Sequence, residues 1–274
     1  MNHLKNTSIV LLFSLIFFTC TEEITLNTDF EPQTIIFGNL KSGTHDLGIF
    51  IAQTVPVDSQ QDNPINDAKI SLFTKSTDGE VSLVLDSFTA SAGYYQSTDQ
   101  VTPVIGNYYW IEVTLADGTL YRSSEEKLNA IVPIDSYNFV DNTMKLGISD
   151  PDSESNFYFT SVSIYYNSSD VVDKLVVTSD ALFNGNDEAF IEIEDVFNIG
   201  TPFDIELSNV SYNTFKFYEK LLIQTDANSI DDDSGPDGLF ATPPVNLKGN
   251  ILNTSNNKTV IGNFGVLATS EYSE

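Results

Sequence analysis

Short apolar runs separated by turn-forming residues dominate the chain from residue 34 onward. In the first half these runs occupy residues 34–40, 47–54, 68–74 and 80–86. In the last run Val81, Leu83 and Leu85 recur at every second position, which is the period of a strand with one buried face. Strands of this length and spacing predict an antiparallel β-sandwich.

Two predicted hairpins support this arrangement. An Asp-Gly pair stands between apolar runs at residues 78–79 and again at 117–118. Glycine readily adopts the positive φ that a tight hairpin turn requires. Before the second turn, alternating apolar side chains are predicted to share one face of a strand: Tyr109, Ile111, Val113 and Leu115.

The second half of the chain is predicted to be a further β-rich domain. Val132-Pro133, beside a cluster of charges, interrupts the strand pattern and predicts a domain boundary. The first domain would then span 34–132 and the second 133–274. Strand-like runs resume at residues 144–149, 156–166, 174–179, 189–195, 203–208 and 259–272, with bends predicted at Gly262 and Gly265.

One helix is predicted near residues 210–224. Its aromatic and apolar side chains recur every three to four residues, and Ser208 or Ser211 is the predicted N-cap. We expect this face to cover a sheet rather than to line a pocket. The side chains are Tyr212, Phe215, Tyr218 and Leu222. The predicted fold is therefore all-β and mainly antiparallel, with one α-helix.

The start of the chain has the layout of a secretory signal peptide. Lys5 precedes the run 9–18, in which Ser14 is the only polar residue, and the single cysteine, Cys20, follows. The run is too short to cross a bilayer as a helix. A cysteine in this place resembles the lipidation site of bacterial lipoproteins. We expect removal of residues 1–19, diacylation of Cys20 and a lipidated tether over 20–33.

Two glutamates, Glu22 and Glu23, stand just after the cysteine. Acidic residues in this position resemble the export signal that directs Bacteroidota lipoproteins to the outer face of the outer membrane. The alternative is that they only begin a solvated tether, because short acidic stretches are commonly just soluble.

Charge excludes two classes of partner. The chain carries 39 acidic against 12 basic residues, a net charge of −27 at pH 7. Nucleic acids and anionic membrane surfaces are bound through Lys and Arg, so both would be repelled. Attachment to a membrane must therefore come from the lipid. The apolar content of 41% is enough for hydrophobic cores.

Catalytic chemistry is sparse in this sequence. Beyond the leader, His45 is the only histidine, and no HExxH, GxSxG or phosphate-binding glycine motif occurs. We therefore expect a protein that is not an enzyme. A glycosidase, which needs only two carboxylates, is an alternative, but the many acidic residues single out no pair.

The best candidate metal site is the acidic loop, residues 230–238 (IDDDSGPDG). Counted from Asp231 as position one, Asp233 and Asp237 fall at positions three and seven, an odd-position spacing that partly resembles oxygen-rich calcium loops, with Gly235 at position five as a departure. Thr242 stands where an EF-hand has a bidentate glutamate, so a solvated loop is the alternative. The segment 150–156 (DPDSESN) is a weaker cluster of the same kind. We therefore expect no cofactor, with calcium at the acidic loop as the alternative.

Tyrosine pairs are the candidates for stacking on sugars. They occur at residues 94–95, 108–109 and 165–166. Since strand side chains alternate between faces, only one member of each pair is expected to point outward. The alternative is that these tyrosines stabilise cross-strand pairs.

Several segments, in order, resemble a Bacteroidota outer-membrane lipoprotein family known as domain of unknown function 4249. They include CTEEITL, FEPQTIIFGNL, VPVDSQQDNPINDAKISLF, GNYYWIEVTLADGTLYRSSEEKLNAIVPIDS, YNTFKFYEKLL and VIGNFGVLAT. The resemblance covers nearly the whole chain after the leader. It implies an N-terminal immunoglobulin-like or prealbumin-like sandwich followed by a second β-rich domain, and no binding residue beyond Cys20.

The resemblance also implies a function, because genes of this family often lie beside those of TonB-dependent transporters. We expect an outer-membrane lipoprotein, exposed at the cell surface, that acts as a non-enzymatic accessory or substrate-binding partner of such a transporter in nutrient uptake. An adhesin-like or structural surface lipoprotein is the alternative. A surface glycan hydrolase is the third hypothesis.

Overall fold

In the described part of the chain, nineteen β-strands, one α-helix and a short 3₁₀ helix, Asp180–Leu182, make up the regular structure. The computed structural model describes residues 30–56, 59, 62–152, 154–167, 170–196, 200–228 and 247–274. The strands are β1 Thr34–Lys41, β2 His45–Gln53, β3 Asn63–Pro64, β4 Lys69–Lys75, β5 Val81–Leu85, β6 Phe88–Ser91, β7 Tyr94–Val101, β8 Tyr108–Thr114, β9 Leu120–Ser123, β10 Glu126–Lys127, β11 Ile134–Val140, β12 Thr143–Ile148, β13 Phe157–Asn167, β14 Asp170–Ser179, β15 Ala189–Ile193, β16 Phe203–Val210, β17 Lys248–Asn253, β18 Thr259–Ile261 and β19 Phe264–Ser273; the helix is α1 Tyr212–Asn228. The predicted all-β class with one helix is confirmed.

A continuous hydrogen-bonded ladder joins sixteen of these strands. Its main path runs β14-β13-β16-β19-β1-β18-β17-β9-β8-β4-β5, and β2, β3, β6, β7 and β10 branch from it. Among the named strands, only β1 pairs in parallel, with β18 and β19, as in the register of Gly38 with Phe264. The first and last strands of the chain are therefore neighbours.

The first hydrophobic core lies among β1, β2, β4, β8 and the last strands of the chain. Tyr109, Ile111 and Val113 all point into it, as predicted for this face of β8, and Leu115 packs at its margin. Strands from the end of the chain add large apolar side chains to the same core. Its fully buried members include Ile36, Ile51, Leu72, Leu128, Ile251, Phe264 and Val266.

The second core lies between two sheets. The three-stranded sheet β11-β12-β15 packs its inner face on β13 and β16. Helix α1 covers the opposite face of β13, where the rings of Phe159 and Tyr218 stack with centroids 4.1 Å apart. Phe215 packs on Phe157 in the same layer. The predicted role of the helix, to cover a sheet, is confirmed for Phe215 and Tyr218, whereas Tyr212 of the same predicted face is 56% exposed.

The predicted boundary at Val132-Pro133 falls between the two cores, because Leu128 belongs to the first and Val132 to the second. Strand β19 then pairs with both β1 and β16, and Pro32–Glu274 forms one compact unit. The first core is thus completed by strands from the end of the chain. The division into domains at 34–132 and 133–274 stays a prediction.

Local chemistry explains where α1 begins and why the predicted run 259–272 divides into β18 and β19. Ser211, one of the two predicted caps, accepts a hydrogen bond on Oγ from the backbone N–H of Thr214 at 3.2 Å. The helix ends four residues beyond the predicted residue 224. Gly262, at φ +107°, separates β18 from β19, and a Cβ there would lie 2.0 Å from the carbonyl oxygen of Ile36.

Strand β5 differs from its prediction. Val81 and Leu83 are 58% and 50% exposed, and only Leu85 of the predicted apolar face is buried. Two features of β5 explain the difference. It pairs only with β4 at the end of the ladder. A register shift also pairs Leu85 with the buried Leu72 but Leu83 with Phe73, the next residue of β4, so Val81 and Leu83 lie on the opposite face from Leu85.

Candidate functional site

The site residues predicted from sequence fall outside the described part of the chain. This applies to the lipidation site, the surface-export signal and the calcium candidates alike. They are Cys20, Glu22, Glu23, Asp231, Asp233 and Asp237. Among the described residues, no group of three or more His, Cys, Asp or Glu is arranged to hold a metal ion, and no helix is both long and apolar enough to cross a membrane.

The weaker acidic cluster, DPDSESN, contributes to a buried hydrogen-bond network. Asp150 accepts hydrogen bonds from the Tyr158 hydroxyl and from the backbone N–H of Gly185. Asp180 accepts one from the backbone N–H of Asn156. Burial, followed by the hydrogen bond to Asp150, raises the pKa of Tyr158. These carboxylates therefore close one end of the second core by binding protein donors.

A pocket of about 320 Å³ lies between helix α1 and strand β17. Tyr212, Lys216 and Lys220 line one wall, at the i, i+4, i+8 spacing that places side chains on one face of a helix. Lys248 and Asn250 line the facing wall from β17. This lysine pocket, completed by Ser124, Asn213, Phe217, Gly249 and Leu252, combines positive charge with apolar surface.

The floor of the lysine pocket is built on the carboxylate of Glu126, which is 1% exposed. Its Oε1 accepts hydrogen bonds from the Ser124 hydroxyl at 2.6 Å and from the amides of Asn250 at 2.9 Å and Asn213 at 3.3 Å. Its Oε2 accepts one from the Ser211 hydroxyl. Glu126 thereby ties β10, β17 and the start of α1 together.

Asn250 is held in a second direction as well. Its amide also donates to the carbonyl oxygen of Phe264 at 2.8 Å, and its Oδ1 accepts from the backbone N–H of Phe264 at 2.9 Å. Side chains with this many partners have little freedom to reorient. The floor of the lysine pocket is therefore rigid and formed in advance of any ligand.

The charges of the lysine pocket are only partly balanced by the protein. Lys216 pairs with Glu219 one turn along the helix, and that contact raises the pKa of the Lys216 ammonium. Neither Lys220 nor Lys248 has a carboxylate partner among the described residues. Seven basic side chains of the described residues do have a carboxylate partner: Lys41, Lys75, Arg122, Lys127, Lys145, Lys174 and Lys216.

A second concavity of about 320 Å³ lies on the exposed part of the β13, β14 and β16 face. Its carboxylates are bonded within the protein, with Tyr165 donating to Asp204 at 2.5 Å and Ser163 to Asp173 at 2.6 Å. The Tyr165 hydrogen bond lowers the pKa of Asp204, and the same contact raises that of Tyr165. The hydroxyl and carboxylate groups of this surface are thus hydrogen-bonded to one another and are not directed at a ligand.

Two of the three tyrosine pairs divide between core and surface as alternation predicts, whereas in the third Tyr165 is half-buried and Tyr166 is 37% exposed. Tyr95 is buried, whereas Tyr94 is 66% exposed and packs on Phe50 with ring centroids 4.8 Å apart. Tyr109 is buried and Tyr108 is half-buried beneath the ammonium of Lys75. The outward rings of these two pairs, Tyr94 and Tyr108, are thus engaged in cross-strand contacts, which was the alternative to sugar stacking.

Sequence analysis missed the lysine pocket. The spacing of Lys216 and Lys220 on a predicted helix was visible, but Lys248 lies on a distant part of the chain. Glu126 gave no signal at all, since it stands in a charged segment, EEK, with an exposed glutamate beside it. Only strand pairing places these residues together.

The fold and the lysine pocket define an all-β protein with a preformed, positively lined cavity at a helix–sheet junction. The chain belongs to the family described as Domain of unknown function (DUF4249), whose model matches residues 21–273. A comparison with curated protein sequences finds no match.

Solved structures of other β-rich proteins show remote similarity. A two-domain fibronectin type III segment of chicken tenascin matches with 11% identity over 65% of this chain and 91% of that chain, at a TM-score of 0.22. The alpha-2-macroglobulin of E. coli matches with 11% identity over 66% of this chain and 13% of that chain, at 0.23. CBD12 from CALX1.2 matches with 10% identity over 86% and 98%, at 0.20. The fold class rests on the strand pairing itself.

Proposed function

We propose that the protein is a lipoprotein anchored in the outer membrane through Cys20, facing the cell exterior, that acts as a non-enzymatic, substrate-binding accessory of a TonB-dependent transporter in nutrient uptake. The apolar run before Cys20 and the glutamates after it support the anchor and its outward direction. Two acyl chains give stable attachment, whereas a single chain gives only marginal binding.

The lysine pocket is the observation that carries the binding role. Its floor is fixed by the hydrogen bonds of Glu126, so a ligand would meet a site that is already formed. Its lining residues include no histidine, cysteine or carboxylate in the described part of the chain. The hydroxyl of Ser124 donates to Glu126, but that carboxylate is buried and is shared with three other donors. These features support binding rather than hydrolysis.

Co-purification from the native outer membrane tests the transporter partnership. The full chain, tagged at its C-terminus, would be extracted in mild detergent and its partners quantified by mass spectrometry. A TonB-dependent transporter at near-equal abundance is the expected result. The protein recovered without any transporter would contradict the proposal and favour the adhesin-like alternative.

The matched control is Cys20→Ser. Loss of the thiol removes the site of acylation, so the variant is expected to leave the membrane fraction and to lose its N-terminal lipid mass. A variant that stays membrane-bound without lipid would show that attachment does not depend on Cys20.

A further inference from the structure

We infer that the lysine pocket binds a phosphate monoester, with the phosphate held by Lys216, Lys220 and Lys248 and the organic part packed on Phe217 and Leu252. The inference rests on the proposed binding role and names the class of ligand. Its starting point is a charge imbalance: the chain has about three acids for each base, yet three of its lysines line one small pocket.

Two of these lysines have no carboxylate partner among the residues that the structure describes. Within the described residues only four lysines lack one, and Lys220 and Lys248 line the same pocket. The other two, Lys69 and Lys258, are exposed and do not line it. In so acidic a protein, lysines that line one pocket and have no carboxylate partner among the described residues point to an anion supplied from outside.

The backbone adds positive potential at the same place. Tyr212 and Asn213 line the pocket from the first turn of α1, where the free N–H groups give a helix its positive end. Two negative charges oppose it, from Glu219, paired with Lys216, and from Glu126 beneath the floor. Four donors surround the carboxylate of Glu126. Three ammonium groups against these two carboxylates leave a net positive charge at the mouth of the pocket, and the helix end adds to it.

The number and the kind of cations favour a phosphate. No arginine lines the pocket, so bidentate recognition, which suits carboxylates and phosphates alike, is absent from it. Lysines act as point charges, and three of them arriving from two walls suit the three terminal oxygens of a phosphate monoester. The volume of about 320 Å³ limits the ligand to a small molecule or a single head group.

The test measures binding to the full chain purified in non-ionic detergent. Isothermal titration calorimetry would use phenyl phosphate, with phenol as the neutral comparator. A flotation assay would use phosphatidylcholine vesicles with and without phosphatidic acid, and the Cys20→Ser variant without detergent, so that acyl chains do not carry the protein to the vesicles. The double variant Lys220→Gln/Lys248→Gln is expected to weaken binding at least 30-fold, about 2 kcal/mol by the tenfold per 1.4 kcal/mol relation. Because both side chains are partly or fully exposed and unpaired, the variant should fold, which circular dichroism checks.

The matched control is Lys69→Gln/Lys258→Gln, which removes the same charge from surfaces outside the pocket. It is expected to change affinity by no more than about twofold, a screened long-range effect. Binding of phenyl phosphate identifies a free phosphate ester as ligand, and binding of phosphatidic acid vesicles alone identifies a lipid head group. No binding of either probe, or equal losses in the two double variants, would overturn the inference.

This result is separable from the transporter test. If the protein co-purifies with a transporter but binds neither phosphate probe, the proposed function stands and only the ligand class is refuted. If the protein binds phenyl phosphate through Lys220 and Lys248 but co-purifies with no transporter, the ligand class stands and the role in uptake is refuted.

Discussion

Replacement of Glu126 by alanine is expected to destabilise the fold strongly, although Glu126 forms no ion pair with the described residues. Its carboxylate is buried and accepts hydrogen bonds from four side chains on separate elements. Alanine removes the common acceptor of all four donors. Ser124 and Asn213 lie near the pocket surface and can turn to water, whereas Ser211 and Asn250 are tied to other partners and stay oriented inward.

The magnitude follows from the donors that remain. A hydrogen bond to a charged group contributes about 1.5–2 kcal/mol, so two donors left without their acceptor account for about 3–4 kcal/mol. The lost γ-methylene adds about 0.8 kcal/mol of burial. The free energy of unfolding should therefore fall by about 4 kcal/mol. At a urea m value of about 3 kcal/mol/M, the midpoint would move down by about 1.3 M.

Urea unfolding followed by tryptophan fluorescence at neutral pH measures this loss, because Trp110 lies in the buried part of β8. Glu125→Ala is the control next along the chain. Glu125 pairs with both Lys75 and Arg122, but its side chain is 34% exposed, so its loss should cost less than about 1 kcal/mol. Equal effects of the two substitutions, or a loss below about 1 kcal/mol for Glu126→Ala, would refute the assignment of Glu126 as the anchor of the floor.

Three further predictions address other parts of the protein. Tyr165→Phe should raise the pKa of Asp204 toward 3.8, because the hydrogen bond that lowers it is lost. A carboxyl pKa that is lowered by folding stabilises the fold at pH values above the unfolded pKa, and this stabilisation is lost as the pH falls through the folded pKa. The variant should therefore be less stable at neutral pH and less sensitive to acid, as carboxyl NMR titration and urea unfolding would show. Gly262→Ala should cost at least about 3 kcal/mol in urea unfolding, because its Cβ meets backbone 2.0 Å away, whereas Gly79→Ala, with φ +89° and open space, should cost about 1 kcal/mol. Calorimetric titration with Ca²⁺ should show no specific binding if the acidic loop is only solvated; binding that is lost when the three candidate aspartates become asparagine would instead establish the calcium site.

Local patterns were sufficient to predict most of the strands and the turns between them. The Asp-Gly pairs at 78–79 and 117–118 do join β4 to β5 and β8 to β9, with both glycines at positive φ. The helix was predicted within a few residues because its spacing and its cap at Ser211 are short-range features. The expected lipidation at Cys20 likewise depends only on neighbouring residues, and it stays a prediction.

The sequence by itself determined the class of fold, because alternation, glycine conformation and helix capping act over a few residues. Tertiary structure alone decided that β19 lies beside β1, that β5 is left uncovered, and that Lys248 faces Lys220 above Glu126. The physical reason is that pairing between distant strands is selected by burial of the whole core, in which no single residue carries the signal. A pocket assembled across such pairings therefore becomes visible only when the chain has folded.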